Sequence, residues 1–260
     1  VQRIRLRYAK RGRLRFASHR DFQRSFERAM RRAGVPIAFS AGFSPHPKVS
    51  YANAAPTGAA SEAEYLEIAV VERCDPDRLR TALDESLPTG LDIVDAVEVR
   101  TGDFADRLQA SHWRLVLPQV APAQLADAVA TFLAATEVEV QRLTKKGMRT
   151  FDARAAVINA EVGDQAETAA AQRADGGADD LCAILHLVVR HQAPAVRPDD
   201  VLVGLRETSG LTPPVAPAVT RLAQGPLDAQ TGALGDPLAP DRDAAVINTP
   251  DAGGPDFGTA

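Results

Sequence analysis

The chain has 260 residues, a formal net charge of −4, 45% hydrophobic residues and only 5% aromatic ones. That composition can fill one large or two medium cores. No apolar run approaches the ~20 residues of a membrane-spanning helix, so a cytoplasmic protein is expected. Cys74 and Cys182 lie too far apart, and are too few, for a disulfide framework or for a zinc or iron–sulfur centre held by this chain alone.

Charge is unevenly distributed. Residues 1–50 carry 13 Lys/Arg against 2 acids, while the remainder is acidic. Such asymmetry does little for stability but creates a local field that attracts a polyanion. Within it, Ile4, Leu6 and Tyr8 alternate with Arg3, Arg5 and Arg7, and Leu14 and Phe16 alternate with Arg13 and Arg15 around Gly12. Period two with a turn residue predicts a β-hairpin over 2–17, one face apolar and the other lined with arginine. Ser18 and Asp21 form a capping-box variant opening a helix to about Arg32, with Gly34 as its stop. Phe22, Phe26, Ala29, Met30 and Ala33 make its apolar stripe, and Arg20, Arg24 and Arg31 fall opposite.

A short strand at about 36–41 precedes the Gly/Ser/Pro/His loop 42–50. A strand over 64–71, a helix after Asp75 and a strand over 91–99 complete a ferredoxin-like order with an added N-terminal hairpin strand. The second half repeats this outline. Strands are expected at 112–117, 137–143 and 181–190, a return strand within 144–162, a last strand at 218–223, and helices at 122–135 and 198–206. The fold expected is therefore α+β, with two tandem ferredoxin-like halves over residues 1–103 and 111–224. Residues 162–180 are Ala/Asp/Gly/Gln-rich and predict a mobile insertion, and residues 225–260 predict a disordered acidic tail.

The residue types with chemistry cluster in a few places. His46 sits between Pro45 and Pro47, close to Lys48, and His19 follows the helix cap. Either histidine could contact phosphate or move a proton, or His46 could simply pack in a rigid turn. Gly42, Ser44 and Ser50 could present amides and hydroxyls to an anion. Ser61, Glu62, Glu64 and Glu67 form an acidic group that reads best as a solvated strand edge. In the second half Lys145, Lys146 and Arg149 surround Gly147, with Asp152 and Arg154 just beyond. That basic turn could grip adjacent phosphates, or be an exposed hairpin tip with a surface ion pair. No phosphate loop, dinucleotide fingerprint or serine nucleophile elbow occurs, and metal ligation is not indicated.

The run RIRLRYAKRGRLRFASHRDFQRSFERAMRRAGVPIAFSAGFSPHPKVSYANAAPTGAASEAEYLEI resembles the N-terminal half of the radical-SAM-associated (radical-SAM-linked) proteins of bacteria, and TKKGMRTFDAR resembles a second motif of that family. Ser18, His19, Asp21, Arg24, Tyr65 and residues 42–48 match family-type positions, whereas Arg20, Phe22, Gln23, Ala155 and Ala156 depart from them. The resemblance implies an accessory partner of a cobalamin-binding radical SAM protein. The partner would carry the iron–sulfur cluster, S-adenosylmethionine and cobalamin; this chain lacks a CxxxCxxC and would hold no cofactor.

Together these features lead us to expect an RNA-binding protein that presents tRNA or rRNA to that enzyme, with the strand arginines and the Lys145–Arg149 turn flanking one groove. Two rivals remain: a metal-independent RNA endonuclease of tandem ferredoxin-like type using His19 or His46, and a binder of a small phosphorylated ligand.

Overall fold

The computed structural model describes residues 1–144, 147–174 and 181–247. The first half runs β1 (Gln2–Lys10), α1 (His19–Arg32), β2 (Val49–Ala52), β3 (Ala60–Val70), α2 (Pro76–Ser86) and β4 (Leu91–Glu98). A single turn, α3 (Phe104–Arg107), leads to β5 (Ala110–Pro118), α4 (Pro122–Ala134), the hairpin β6 (Glu139–Thr144) and β7 (Gly147–Asp152), and β8 (Val157–Val162). Then come α5 (Gln165–Ala174), β9 (Cys182–Arg190), α6 (Pro198–Ser209), β10 (Ala218–Gly225) and α7 (Ala239–Ile247).

The main sheet is ordered β4-β1-β3-β10-β5-β9-β8, with β2 also on β3. The first half thus has the βαββαβ order of a ferredoxin-like unit, and the second has it in β5, α4, β8, β9, α6 and β10 with the β6–β7 hairpin and α5 inserted, the two being tandem copies fused into one sheet. They meet on β3, whose outer edge is shared. Residues 65–68 pair with β2, and Ala60 and Ser61 pair in parallel with Thr220 and Arg221 of β10.

Local chemistry explains most elements. Ser18 Oγ accepts from the Asp21 amide at 3.2 Å while the Asp21 carboxylate accepts from the Ser18 amide, so α1 starts where its capping box lies. Phe22, Phe26 and Met30 then bury against Ile4, Leu6 and Tyr8, with Tyr8 and Phe22 stacked at 4.3 Å. In the second half Leu115, Leu117, Leu185 and Leu187 pack under Phe132 of α4 and Val201 and Leu205 of α6. Arg221 settles which way the halves face. It lies over the Trp113 ring and is ion-paired with Glu64, which shares the Ile4/Leu6/Tyr8 side of its sheet. The helices of both halves therefore cover the same side.

Three expectations are corrected. The hairpin over 2–17 and its extra strand do not form, and residues 12–16 coil into a 3-10 turn. Both edges of β1 are already taken, by β3 and β4, so no partner edge remains. The segment 36–41 makes only two isolated bridges, Ile37 to Val70 and Phe39 to Pro47. The insertion 162–180 contributes α5, which buries Thr168 and packs Ala171 on Cys182 and Ile184; residues 175–180 lie outside the described residues.

The chain beyond 225 is also drawn into the fold as far as Ile247, and residues 248–260 lie outside the described residues. Residues 226–238 approach β10 so closely that a Cβ on Gly225 would stand 2.1 Å from the Gly235 carbonyl oxygen. Leu238 is fully buried with Tyr65, Val97 and Leu108 on the side of the sheet opposite α1, α2, α4 and α6. Asp241, also buried, accepts from the Arg100 and Thr101 amides at 2.9 Å and from the Thr101 hydroxyl at 2.7 Å. Its other oxygen takes Arg5 and Arg107.

Burial pushes the Asp241 carboxyl up, but the hydrogen bonds from Thr101, Arg100 and Arg5 outweigh that and hold it at about 2. Its stabilisation is therefore complete above the ordinary value of 3.8 and is lost as pH falls from there towards about 2. Asp241→Ala leaves Arg5 and Arg107 short of their counter-charge and should cost about 3 kcal/mol in urea unfolding. The same variant should be cleaved by protease after residue 236, where the wild type resists.

Candidate nucleic-acid interface

The strand arginines occupy the side of the sheet away from the helices, and the C-terminal segment changes what they can do. Arg5 has a side chain only 3% exposed and is committed to Asp241, Glu67 and the Thr101 carbonyl, so it is internal and not a phosphate contact. Arg7 is half-buried beside Tyr65 and its Nε has no partner among the described residues. Arg3 is exposed and pairs with Glu67 at 3.1 Å.

One expected grouping is present. Arg3, His46 and Lys48 line a cavity of about 400 Å3 with Ser40, Ser50 and Glu67. The loop is held by the Ser40 amide donating to the His46 carbonyl at 2.8 Å and the His46 amide donating to Ser40 Oγ at 3.0 Å. At its tip Phe43 is wholly exposed. Glu67 offsets part of the cationic charge, so this pocket is nearly balanced rather than strongly positive.

The basic turn of the second half stands elsewhere. The β6–β7 hairpin packs by Val140 and Phe151 into the helical layer, and Arg142 pairs with Asp200 of α6 at 2.5 Å. Lys145 and Lys146 lie outside the described residues, and Arg149 is exposed on β7. Among the described residues, Arg149 and the strand arginines lie on opposite sides of the sheet and share no groove, and the Lys145 and Lys146 part of that expectation lies outside the described residues. Arg154 is structural: it donates to the carbonyls of Leu133 and Val157. Asp152 does not pair with it but accepts from the amides of Val138, Arg154 and Ala155, tying the strand exit.

Among the described residues the densest group of free cations is on the outer face of α1 and the turn before it. Arg20, Arg24, Arg28, Arg31 and Arg32 are all exposed on α1, as is Arg13 on the turn; Arg15 lies over its neighbour Phe16. Among the described residues only Arg31 of the five helical arginines has a carboxylate within ion-pair distance, Glu27 at 3.7 Å. The acidic group dissolves into separate pairs, Glu62 with Arg11, Glu64 with Arg221 and Glu67 with Arg3 and Arg5. His19 stands at the start of α1, 3.1 Å from Gln23 Nε2 and edge-on to Tyr51. It is on the helical side, and His46 is on the other, so the two cannot serve one reaction centre.

A second polar constellation was not anticipated from sequence. On the α5 side of the second half, His112 Nε2 is 3.1 Å from His186 Nδ1, and His186 Nε2 is 3.0 Å from the Glu167 Oε1 to which Arg114 Nε also donates. Asn159, Glu161 and residues 231–234 complete a cavity of about 470 Å3 around the pair. Burial, then the neighbouring His186, pushes His112 below the ordinary histidine value. Burial alone would raise Glu167, but the bonds from His186 and Arg114 outweigh it and lower the carboxyl. The one legible signal was a polar His186 inside the apolar run AILHLVV; Glu167 belongs to the segment expected to lie outside the core. His191 bridges the halves, bonded to the Leu108 carbonyl, Ser111 and Asn53, and burial lowers it too. Among the described residues no group of three or more His, Cys, Asp or Glu is placed to hold a metal, and no helix is long and apolar enough to cross a membrane.

Two histidines held below 6.5 have a defined consequence. The unfolded chain takes up protons first, so stability is complete above about pH 6.5 and falls as pH drops through the folded-state values. Melting temperature followed from pH 7.5 to 5 should decline, and His112→Gln should flatten part of that limb.

Among known families, the one described as "Uncharacterized protein conserved in bacteria (DUF2344)" matches residues 3–198, which leaves nearly all of α6, β10 and the segment that follows beyond the matched region. No curated protein matches the chain. With both halves of the sheet contributing to the match, the chain belongs to the DUF2344 family of bacterial proteins.

Proposed function

We propose that this protein binds structured RNA, tRNA or rRNA, along the outer face of α1 and presents it to a radical SAM enzyme that carries the iron–sulfur cluster, S-adenosylmethionine and cobalamin. The observation that carries the RNA reading is the ridge of Arg13, Arg20, Arg24, Arg28, Arg31 and Arg32, exposed and almost unpaired on a protein that is acidic as a whole. Guanidinium groups on a rigid helix suit phosphate oxygens, and a surface with few exposed aromatics favours reading of backbone charge and shape over base stacking. The radical SAM partner rests on the sequence resemblance, which gives this chain the accessory role. The cleavage alternative needs only one of His19 and His46 as its acid/base, and because the two face opposite ways they would serve separate centres. Phosphate capture has its own support, developed below.

Binding of structured RNA should weaken steeply with salt, and Arg20→Gln/Arg24→Gln should reduce the slope of log affinity against log salt by about two. Arg206→Gln, a change at an exposed arginine already paired with Glu207 in the second half, should leave it unchanged. Fluorescence anisotropy at 50 and 200 mM salt reads both. Absence of binding at low salt, or a double variant with the wild-type slope, overturns the proposal.

A further inference from the structure

On the helical side of the first half a small cavity of about 170 Å3 opens between β1, the start of α1 and the loop before β3. Tyr8, Lys10, Ser18, His19, Thr57 and Glu64 line it. Lys10 is the informative residue. It continues the Ile4, Leu6, Tyr8 face of β1 and is 6% exposed as a residue, and its ammonium, which has no hydrogen-bond or ion-pair partner among the described residues, keeps contact with the cavity.

The nearby charges do not balance. Glu64 is consumed by Arg221 and by the Ala55 amide, and Asp21 is turned into the capping box of α1. Two buried cations, Lys10 and Arg221, therefore face one buried carboxylate. An uncompensated ammonium in such a site is costly, and burial lowers the Lys10 ammonium despite the opposing pull of Glu64. The second wall supplies further positive potential. Ser18 and His19 are the cap and first residue of a fourteen-residue helix, whose Asp21 and Phe22 amides are taken by Ser18, leaving the His19 and Arg20 amides as donors that no intrahelical carbonyl can satisfy.

We propose that this cavity binds a phosphate monoester group, held by Lys10, the α1 N-terminus, His19 and Thr57. Its volume equals that of about five or six waters, enough for a tetrahedral oxyanion and little more. Donors converge on it from β1, from the start of α1 and from the 54–57 loop, an arrangement that matches a tetrahedral group better than a planar carboxylate. Two sources share this chemistry: a small phosphorylated metabolite, or the terminal phosphate of an RNA laid along the adjoining arginine ridge. The site stands independently of the RNA reading.

The test uses the whole chain and inorganic phosphate against chloride of matched ionic strength. Phosphate should raise the wild-type melting temperature in a concentration-dependent way, and isothermal titration should give saturable binding. Lys10→Met should weaken that binding at least tenfold while melting no lower than wild type without anion, since it removes an uncompensated charge at similar volume. His19→Ala, at an exposed position, should weaken it severalfold and keeps the test intact if the first variant folds poorly. Identical phosphate responses in wild type and both variants, or an equal response to acetate, would overturn the assignment. Comparing 5′-phosphorylated with 5′-hydroxyl oligoribonucleotides then separates the sources. Preference for the phosphorylated end that is lost in Lys10→Met places RNA in the site, and phosphate binding without RNA affinity supports a metabolite while removing the RNA proposal alone.

Discussion

The joint on β3 is the constraint on which the architecture depends. A ferredoxin-like unit leaves the edge strand of its sheet available, and here the first unit spends only part of that edge on β2. The remainder accepts β10 through just two residue pairs, Ala60 with Thr220 and Ser61 with Arg221. So short a ladder needs reinforcement, and it comes from side chains. Arg221 reaches across to Glu64 and Ser61, and Gln224 donates to the Ala63 carbonyl at 2.6 Å. Arg221 and Glu64 are both buried, so leaving either unmatched would be far worse than never having buried it. The pairing fixes not only that the halves adhere but that their helices share one side, leaving the other for α5, α7 and the segment between β10 and α7.

That division assigns the arginines their work. A residue type that signals a polyanion when counted in sequence does two different jobs in space. On β1 alternate residues point away from α1 and α2, and Arg5 among them becomes an internal strut once the Asp241 carboxylate descends on it. On α1 the same residue type has no covering layer and stays in water. Composition reports both identically; only the layer order distinguishes them.

What could be read directly was whatever local chemistry determines. The capping box at Ser18, the Asp75–Pro76 start of α2, the Pro122 start of α4 and the alternation of 181–190 fall within a residue or two of the elements observed. The repeated element order gave the tandem halves. The failures share a different origin. Residues 13–16 alternate well enough for a strand, yet no edge is free to receive them. The Ala- and Gly-rich stretches after 162 and 225 carry few large apolar residues, but small residues permit close approach, as at Gly225 against Gly235, and the buried Leu238 and Asp241 anchor the second stretch. The cavity beside Lys10 and the His112–His186 pair bring together residues dozens of positions apart, with no motif to announce them.

The contact between Arg5 and Asp241 spans 236 residues, nearly the whole described chain. A ribosome adding ~5–20 residues per second needs on the order of ten seconds or more to deliver the second partner after the first. Throughout that interval the first ferredoxin-like unit can already be folded, with its helix-free face uncovered and Arg5 lacking Asp241. The nascent protein is thus a more basic object than the finished one, and the arrival of α7 both completes the fold and withdraws that face from competition for anionic partners in the crowded surroundings of the ribosome.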